Sequence, residues 1–120
     1  MIIILPLPDP ALSPNKAFGR HWSHSSAKKK KAFAAAYYAT LEARTLCPKL
    51  VLGDEIPLTI TFILPDKRRR DRDNLLSASK ATLDGIAKAL GRDDNDFEPI
   101  TIRRGYDKGN GRMVIEINPA

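Results

Sequence analysis

Residues 58–91 read LTITFILPDKRRRDRDNLLSASKATLDGIAKALG and predict a strand, a charged loop and a helix in succession. Apolar residues alternate with threonines up to Pro65, which is typical of a strand that ends at a proline. From Asp73 to Leu90, apolar side chains recur at helical spacing, and Gly91 stands where a helix commonly ends. The apolar face of this helix includes Ser79 as one small polar member and otherwise consists of Leu75, Leu76, Leu83, Ile86 and Leu90.

The segments on both sides of this stretch complete a βαβαββ order. Apolar runs predict three further strands at residues 2–7, 100–106 and 113–117. A helix is expected from Ser25 or Ser26 to Leu46, and the glycines of DKGNGR before the last strand favour a hairpin. We therefore expect an α+β fold in a single domain over residues 1–120, with a small mixed β-sheet and two helices packed on one face.

The composition favours a partner that carries negative charge. The chain has 120 residues, a formal net charge of +6 and a sequence pI near 9.7. A basic balance of this size commonly reflects binding to nucleic acid, and the apolar runs are too short to predict a membrane span. Cys47 is the only cysteine, so no intrachain disulfide can form, and we expect a cytoplasmic protein without membrane attachment.

Two aspartates separated by one residue, Asp71 and Asp73, stand immediately after an arginine run. One carboxylate would suffice to cap the helix, as Asp73 alone could do, and two neighbouring carboxylates repel each other without a cation. Mg²⁺ typically binds one or two carboxylates together with waters and phosphate oxygens. We therefore expect Asp71 and Asp73 to bind Mg²⁺, or Mn²⁺ in its place, together with one acid from residues 93–96 in the loop after the helix.

Lysines and arginines cluster in several parts of the chain. A lysine run at the start of the first helix is unfavourable against the helix dipole, so chain stability does not account for it. Phosphates of a nucleic acid would neutralise these charges and release counterions, although each single lysine could equally be a solvated side chain. The predicted DNA-binding residues are Arg20, Lys28, Lys29, Lys30, Lys31, Arg68, Arg69, Arg70 and Arg72.

Polar residues recur on one side of the second predicted helix, away from its apolar face. They are Asp73, Ser77, Lys80, Asp84 and Lys88. Lys80 and Asp84 are four residues apart, and we expect them to form a solvated ion pair. Lys80 also follows Asp73 along the same stripe, so it could stabilise negative charge that develops near the acids.

The charged loop and the helix after it match a pattern found in a known family. KRRRDRDNLL at residues 67–76, followed by LDGIAKALGRDD at residues 83–94, resembles the RusA family of Holliday junction resolvases in the form common in phages and prophages. The opening LPLPDPALSPNKAFGRHW at residues 5–22 resembles that family's proline-rich start. The ending KGNGRMVIEI at residues 108–117 resembles its last hairpin, so the likeness extends over nearly the whole chain.

The resemblance implies a RusA-like homodimeric, Mg²⁺-dependent endonuclease that resolves four-way DNA junctions by symmetric cuts in recombination and repair. It places the family's catalytic aspartates on Asp71, Asp73 and Asp94. A catalytic lysine of some members falls on Ser77 here, and we expect Lys80, the next residue of the stripe, to replace it. Two symmetric cuts also require two active sites, and a small chain has room for one such acidic cluster, which again predicts a homodimer.

Two other functions fit parts of the pattern. A non-catalytic nucleic-acid-binding domain would use the acids only to balance the arginines, and it would bind DNA without divalent ions and without cleavage. A glycosyltransferase would use the Asp-x-Asp pair to hold a metal and a nucleotide. It needs a nucleotide-binding α/β domain, however, for which this chain leaves little room. The binding domain is therefore the main alternative to the endonuclease.

Overall fold

The fold combines a four-stranded mixed sheet with three helices. The computed structural model describes residues 1–12 and 22–118, and of residues 22–25 only the backbone. The strands are β1 (Ile2–Leu5), β2 (Ile56–Leu64), β3 (Phe97–Tyr106) and β4 (Arg112–Ile117). The helices are α1 (Trp22–Thr45), α2 (Arg72–Ala78) and α3 (Lys80–Leu90), and short 3-10 turns lie at Pro10–Leu12 and Asp94–Asp96. The predicted α+β class is thereby confirmed.

The strand order across the sheet is β1–β4–β2–β3. β4 is antiparallel to both β1 and β2, whereas β3 is parallel to β2. Although β3 and β4 are consecutive in the chain, β2 lies between them, so the predicted hairpin is wrong. Their connection crosses the end of β2: the Asp107 N–H donates to the Leu64 carbonyl at 2.9 Å, and the Gly109 N–H donates to the Pro65 carbonyl at 3.0 Å. Gly109 has a φ of 74°, which explains why a glycine stands at this position of the DKGNGR segment.

One face of the sheet is buried under the helices. Along the nine residues of β2, buried and half-buried positions alternate, so every second side chain points into the core. Ile60 pairs with Ile115 and Phe62 pairs with Met113, and all four side chains are buried. Both α1 and α3 contribute apolar residues to this same core, which confirms that the helices pack on one face.

The helix predicted from Asp73 to Leu90 is in fact two helices, α2 and α3, which meet at Ser79. The Ser79 side chain is fully buried, and its hydroxyl donates to the Leu75 carbonyl at 2.8 Å. Its N–H bonds the Leu76 carbonyl at 3.0 Å, so the last turn of α2 is tightened. A buried serine that bonds back to the preceding turn commonly bends a helix, and here it separates two.

The observed ends of α1 and α3 can be compared with the predicted ones. α3 ends at Gly91, whose φ of 68° is left-handed, so the predicted glycine stop is confirmed. α1 begins at Trp22, a few residues before the predicted Ser25 or Ser26, and ends at Thr45. Among the described residues, no helix combines the length and the apolar character that crossing a membrane requires.

Candidate functional site

A cleft of about 990 Å³ lies between the N-terminal segment, the first half of α1, α2 and the loop that joins β2 to α2. Prolines and leucines of residues 5–12, alanines of α1, and Leu75 and Ala78 of α2 supply its apolar lining. The polar and charged lining residues are Asp9, Lys28, Lys31, Arg68, Arg69, Arg70, Asp71, Asn74 and Thr82. One of the predicted acids and several of the predicted basic residues therefore meet in one cleft.

The loop at residues 67–71 together with Arg72, the first residue of α2, is called here the arginine loop, and Asp66 holds it in shape. The Arg70 guanidinium donates to both oxygens of the Asp66 carboxylate, at 2.7 and 3.1 Å, and the Arg68 N–H donates to it at 3.0 Å. These bonds, that of Arg70 first, hold the pKa of Asp66 far below its ordinary value of 3.8. Only 19% of the Arg70 side chain is exposed, so this predicted DNA-binding residue serves first to order the loop.

The Asp66 carboxyl is expected to titrate well below pH 3.8 in the wild type and to return toward that value in Arg70→Ala. Arg70 provides the strongest stabilisation of the charged carboxylate, and the substitution removes it. Because the pKa is lowered in the folded state, the stabilising effect is present above the ordinary pKa and is lost as the pH falls through the lowered one.

NMR of the side-chain carboxyl carbon measures this midpoint. Arg69→Ala is the matched control, since Arg69 lies 3.5 Å from Asp71 and should leave the Asp66 titration unchanged. A midpoint that stays low in Arg70→Ala would contradict the assignment.

Asp71 and Asp73 lie at the start of α2 with exposed side chains. Asp71 occupies the capping position, but its side chain makes no capping hydrogen bond; it lies 3.5 Å from Arg69 in an exposed ion pair. Asp73 lies in the first turn of α2 and not at its capping position, so the alternative in which it caps the helix does not hold, and it forms no ion pair within the described part of the chain. Since neither carboxylate is used for capping, both can serve a ligand.

Lys80 connects two further acids. Its ammonium donates to the Asp84 carboxylate at 3.0 Å and also to the Asp94 carboxylate. The predicted Lys80–Asp84 pair is thus confirmed, and the loop after α3 folds back toward the start of that helix. The carboxylates of Asp94 and Asp84 raise the pKa of Lys80, and Lys80 in turn lowers the pKa of Asp94. Because Lys80 begins α3 and Asp73 belongs to α2, the predicted single stripe is interrupted at Ser79.

The other acids of the loop after α3 have structural partners. The Asp93 carboxylate accepts the N–H of Asn95 at 2.9 Å and so caps the short turn that follows. The Asp96 carboxylate accepts the Arg92 Nε–H at 2.9 Å. Asp94 is therefore the acid of this loop that faces Lys80, which favours Asp94 over Asp93 as a functional residue.

The three predicted metal ligands do not meet as one group. Within the part of the chain that the structure describes, no three His, Cys, Asp or Glu side chains lie close enough to hold a metal ion. Asp94 is bonded to Lys80, whose positive charge competes with a cation for the same carboxylate. Asp71 and Asp73 alone match the one or two carboxylates with which proteins commonly bind Mg²⁺ beside substrate phosphates. In number and chemistry these two carboxylates suit this ion, whereas the described residues do not bring the set of three together.

The lysine run of α1 is divided by the rotation of the helix. Lys28 and Lys31 line the cleft together with the arginine loop, and Lys28 lies 3.1 Å from the Asp9 carboxylate. Lys29 and Lys30 are exposed and do not line the cleft. The run predicted as one DNA-binding patch therefore presents two of its lysines to the candidate site and two elsewhere.

A second, more open groove shares the arginine loop with the cleft and extends to the end of β3; we call it the β3 groove. Its charged lining comes from Arg68, Arg69, Arg70, Arg72 and Arg104. Tyr106 also lines it, and sequence reasoning did not place this residue in the site, because only the parallel pairing of β3 with β2 brings it there. Arg20, predicted to bind DNA, lies outside the described residues.

Comparison with known proteins gives three informative relatives. An uncharacterized protein of Xylella fastidiosa is 33% identical over 115 residues, which are 96% of this chain and 74% of that protein. The crossover junction endodeoxyribonuclease RusA of Aquifex aeolicus is 39% identical over 67 residues, which are 54% of this chain and 50% of that protein. No protein-family model matches the chain.

A second RusA protein agrees with the first. The crossover junction endodeoxyribonuclease RusA of Enterobacteria phage HK97 is 42% identical over 55 residues, which are 45% of this chain and 43% of that protein. The chain thus spans about half the length of the RusA proteins that it matches. Over that matched segment, the chain is similar to RusA crossover junction endodeoxyribonucleases.

Proposed function

We propose that this chain is a structure-specific endodeoxyribonuclease that cuts four-way DNA junctions in recombination and repair. The names of two relatives support the reaction, since both are crossover junction endodeoxyribonucleases. One observation carries the proposal: Asp71 and Asp73 hold exposed carboxylates, unused for capping, at the start of α2, and Asp71 lines the cleft beside the arginine loop. Carboxylates for a cation and arginines for phosphate are thus adjacent.

The proposed cofactor is Mg²⁺, with Mn²⁺ as the alternative, and Asp71 and Asp73 would hold it together with oxygens of the DNA. Bound there, the ion supplies Lewis acidity, which lowers the pKa of a water molecule and offsets charge on the phosphodiester. The third predicted ligand, Asp94, is bonded to Lys80 instead. Its participation requires that this bond opens when DNA binds.

The chain's own residues have distinct proposed roles at the DNA. Lys28, Lys31 and Arg69 line the cleft and would bind the phosphate backbone by charge. Arg70 would act indirectly, because its two bonds to Asp66 set the shape of the arginine loop. The raised pKa of Lys80 keeps its ammonium charged, and a charged ammonium stabilises negative charge that develops on an oxygen.

The proposed assembly is a homodimer, because a two-fold dimer supplies two sites in the symmetry of the junction. Tyr38 of α1 is a candidate for the interface, since its side chain is 67% exposed. Phe33 of the same helix stacks on Tyr37 and is half-buried, so it offers less surface to a partner. Light scattering at micromolar concentration should give about twice the chain mass of 13.3 kDa. A monomer that cuts both strands in one binding event would contradict the dimer.

A non-catalytic nucleic-acid-binding domain is the second candidate. The observation that favours it is that the described residues contain no group of three metal-binding side chains. In such a protein, Asp71 would only balance the neighbouring Arg69, with which it already forms an ion pair. DNA binding would then be independent of divalent ions, and no branched substrate would be cut.

Incubation with a synthetic four-way junction and with a linear duplex, each in Mg²⁺, Mn²⁺ or EDTA, distinguishes the two candidates. The nuclease should introduce paired, symmetric nicks in the junction when a metal is present, leave the duplex intact, and cut nothing in EDTA. Junction binding in EDTA without cleavage in either metal would contradict the nuclease and support the binding domain.

Removal of the two cleft lysines is expected to weaken the salt dependence of junction binding. Each lysine that neutralises a phosphate contributes about 0.9 to the slope of log affinity against log salt, so Lys28→Ala with Lys31→Ala should flatten it by about 1 to 2. The matched control replaces Lys29 and Lys30, which carry the same charge outside the cleft. Equal slopes for the two double variants would indicate that all four lysines are solvated side chains that do not contact DNA.

A further inference from the structure

The β3 groove differs from the cleft in charge and in aromatic character. Its lining contains five arginines and no acid, whereas Asp9 and Asp71 line the cleft. The Arg104 Nη1 donates to the Arg70 carbonyl at 3.1 Å, so the end of β3 and the arginine loop form one continuous surface. A groove with this lining attracts phosphate but carries no carboxylate to hold a metal beside it.

Two of these arginines have charge to offer a ligand. Arg70 and Arg68 share the Asp66 carboxylate, which offsets part of their charge. Arg72 and Arg104, in contrast, form no ion pair with an acid in residues 1–12 or 22–118. Their positive charges can therefore interact with phosphates of a bound strand.

Tyr106 adds a surface on which a base can stack. Its side chain is 51% exposed, and the Lys67 ammonium lies 5.3 Å from the centre of its ring. The register pairs Tyr106 with Leu64 and Arg104 with Phe62, so both residues lie on the helix side of the sheet, next to the arginine loop. Arg103 pairs with Thr61 and lies on the opposite face.

We infer that the β3 groove binds an unpaired DNA strand beside the branch point, with a base stacked on Tyr106 and phosphates held by Arg72 and Arg104. An exposed aromatic ring in a groove lined by arginines fits a single strand better than a duplex, because the bases of a duplex are already stacked on each other. The inference rests on the proposed function and extends it: the cleft takes the strand that is cut, and the β3 groove holds a neighbouring strand without cutting it.

The test measures binding in EDTA, where no cleavage occurs, with a short single strand that contains 2-aminopurine and with the matching duplex. Tyr106→Ala should weaken single-strand binding about tenfold and restore 2-aminopurine emission, because it removes the ring on which a base stacks. Tyr106→Phe keeps the ring and should retain both affinity and quenching. Duplex binding should be the same for all three proteins.

The two neighbouring arginines provide a matched pair. Arg104→Ala should lower the slope of log affinity against log salt by about 0.7 for the single strand, whereas Arg103→Ala, on the other face, should not change it. Equal behaviour of these two variants, or wild-type affinity and quenching in Tyr106→Ala, would overturn the inference.

Failure of this inference and failure of the nuclease proposal give different results. Tyr106-dependent binding of a single strand by a protein that cuts no junction would support the inference about the β3 groove and contradict the nuclease proposal. Junction cleavage, together with single-strand binding that does not change in Tyr106→Ala, would support the nuclease proposal and contradict the inference about the β3 groove.

Discussion

Asp73→Asn is expected to lower junction cleavage at least about a hundredfold while the fold and junction binding remain intact. The substitution removes one of the two carboxylates proposed to hold the metal, and a hundredfold loss corresponds to about 2.7 kcal/mol of transition-state stabilisation. Asp73 is exposed and its side chain is not the cap of α2, so few structural contacts are disturbed. Junction affinity should rise slightly, because a negative charge beside the phosphates is lost.

Single-turnover nicking in Mg²⁺ and junction affinity in EDTA measure the two effects separately. Asp54→Asn is the matched control: it makes the same change of charge at an exposed position before β2, at the other end of that strand from the arginine loop. The control should cut at the wild-type rate. Cleavage near the wild-type rate in Asp73→Asn would remove Asp73 from the site.

Gly85→Ala is expected to destabilise the fold by about 2 to 3 kcal/mol, because α1 and α3 approach each other closely at this glycine. A methyl group added there would lie 2.4 Å from the Phe33 carbonyl oxygen and 3.1 Å from the Ala36 Cβ. A backbone carbonyl cannot turn away as a side chain can, so the two helices would have to separate. Alanine's better helix propensity returns about 1 kcal/mol, which does not offset this cost.

Urea unfolding of Gly85→Ala and of Gly105→Ala tests this expectation. Gly105 is the matched control, since its added methyl group would meet only the Ile63 Cγ1, at an ordinary contact distance of 3.7 Å. The control should therefore unfold close to the wild-type midpoint. Equal stability of the two variants would show that α1 and α3 leave room for a methyl group between them.

Local patterns in the sequence predicted those parts of the fold that local forces determine. The alternation along β2 and the glycine after α3 follow from the pleat of a strand and from the left-handed end of a helix, and both were confirmed. The pairing of β3 was not predictable in this way. A glycine-rich turn indicates that the chain reverses, but which strand lies beside β3 depends on burial of distant residues such as Phe62 and Met113.

Ser79 shows the same limit within a helix. Its place in an apolar face was visible in the sequence, yet the break arises because its buried hydroxyl bonds the Leu75 carbonyl and lies 3.8 Å from the Met113 sulfur. The second of these contacts comes from β4. The helix propensities of the residues in α2 and α3 contain no information about a contact with β4.

The sequence indicates which charged residues to consider for the candidate site, but not which partners those residues have. The spacing of Asp71 and Asp73 alone predicted that the two carboxylates bind one cation together. The assignment of Arg70 to the order of the loop, by contrast, needs the bonds to Asp66, and the separation of Lys28 and Lys31 from Lys29 and Lys30 needs the rotation of α1. The sequence identifies the charged residues of the acidic and basic runs. Only tertiary contacts determine which of those charges are already neutralised by a partner.

The position of β4 has a consequence for how the protein folds. β4 is the last strand along the chain and yet lies between β1 and β2. Met1 and Ile117, 116 positions apart, exchange backbone hydrogen bonds at 3.0 and 2.8 Å. Contacts of such sequence separation form slowly, because a large loop must close first. Until β4 inserts, β1 has no neighbour and β2 presents an open edge, so partly folded chains are expected to exchange strands with one another and aggregate.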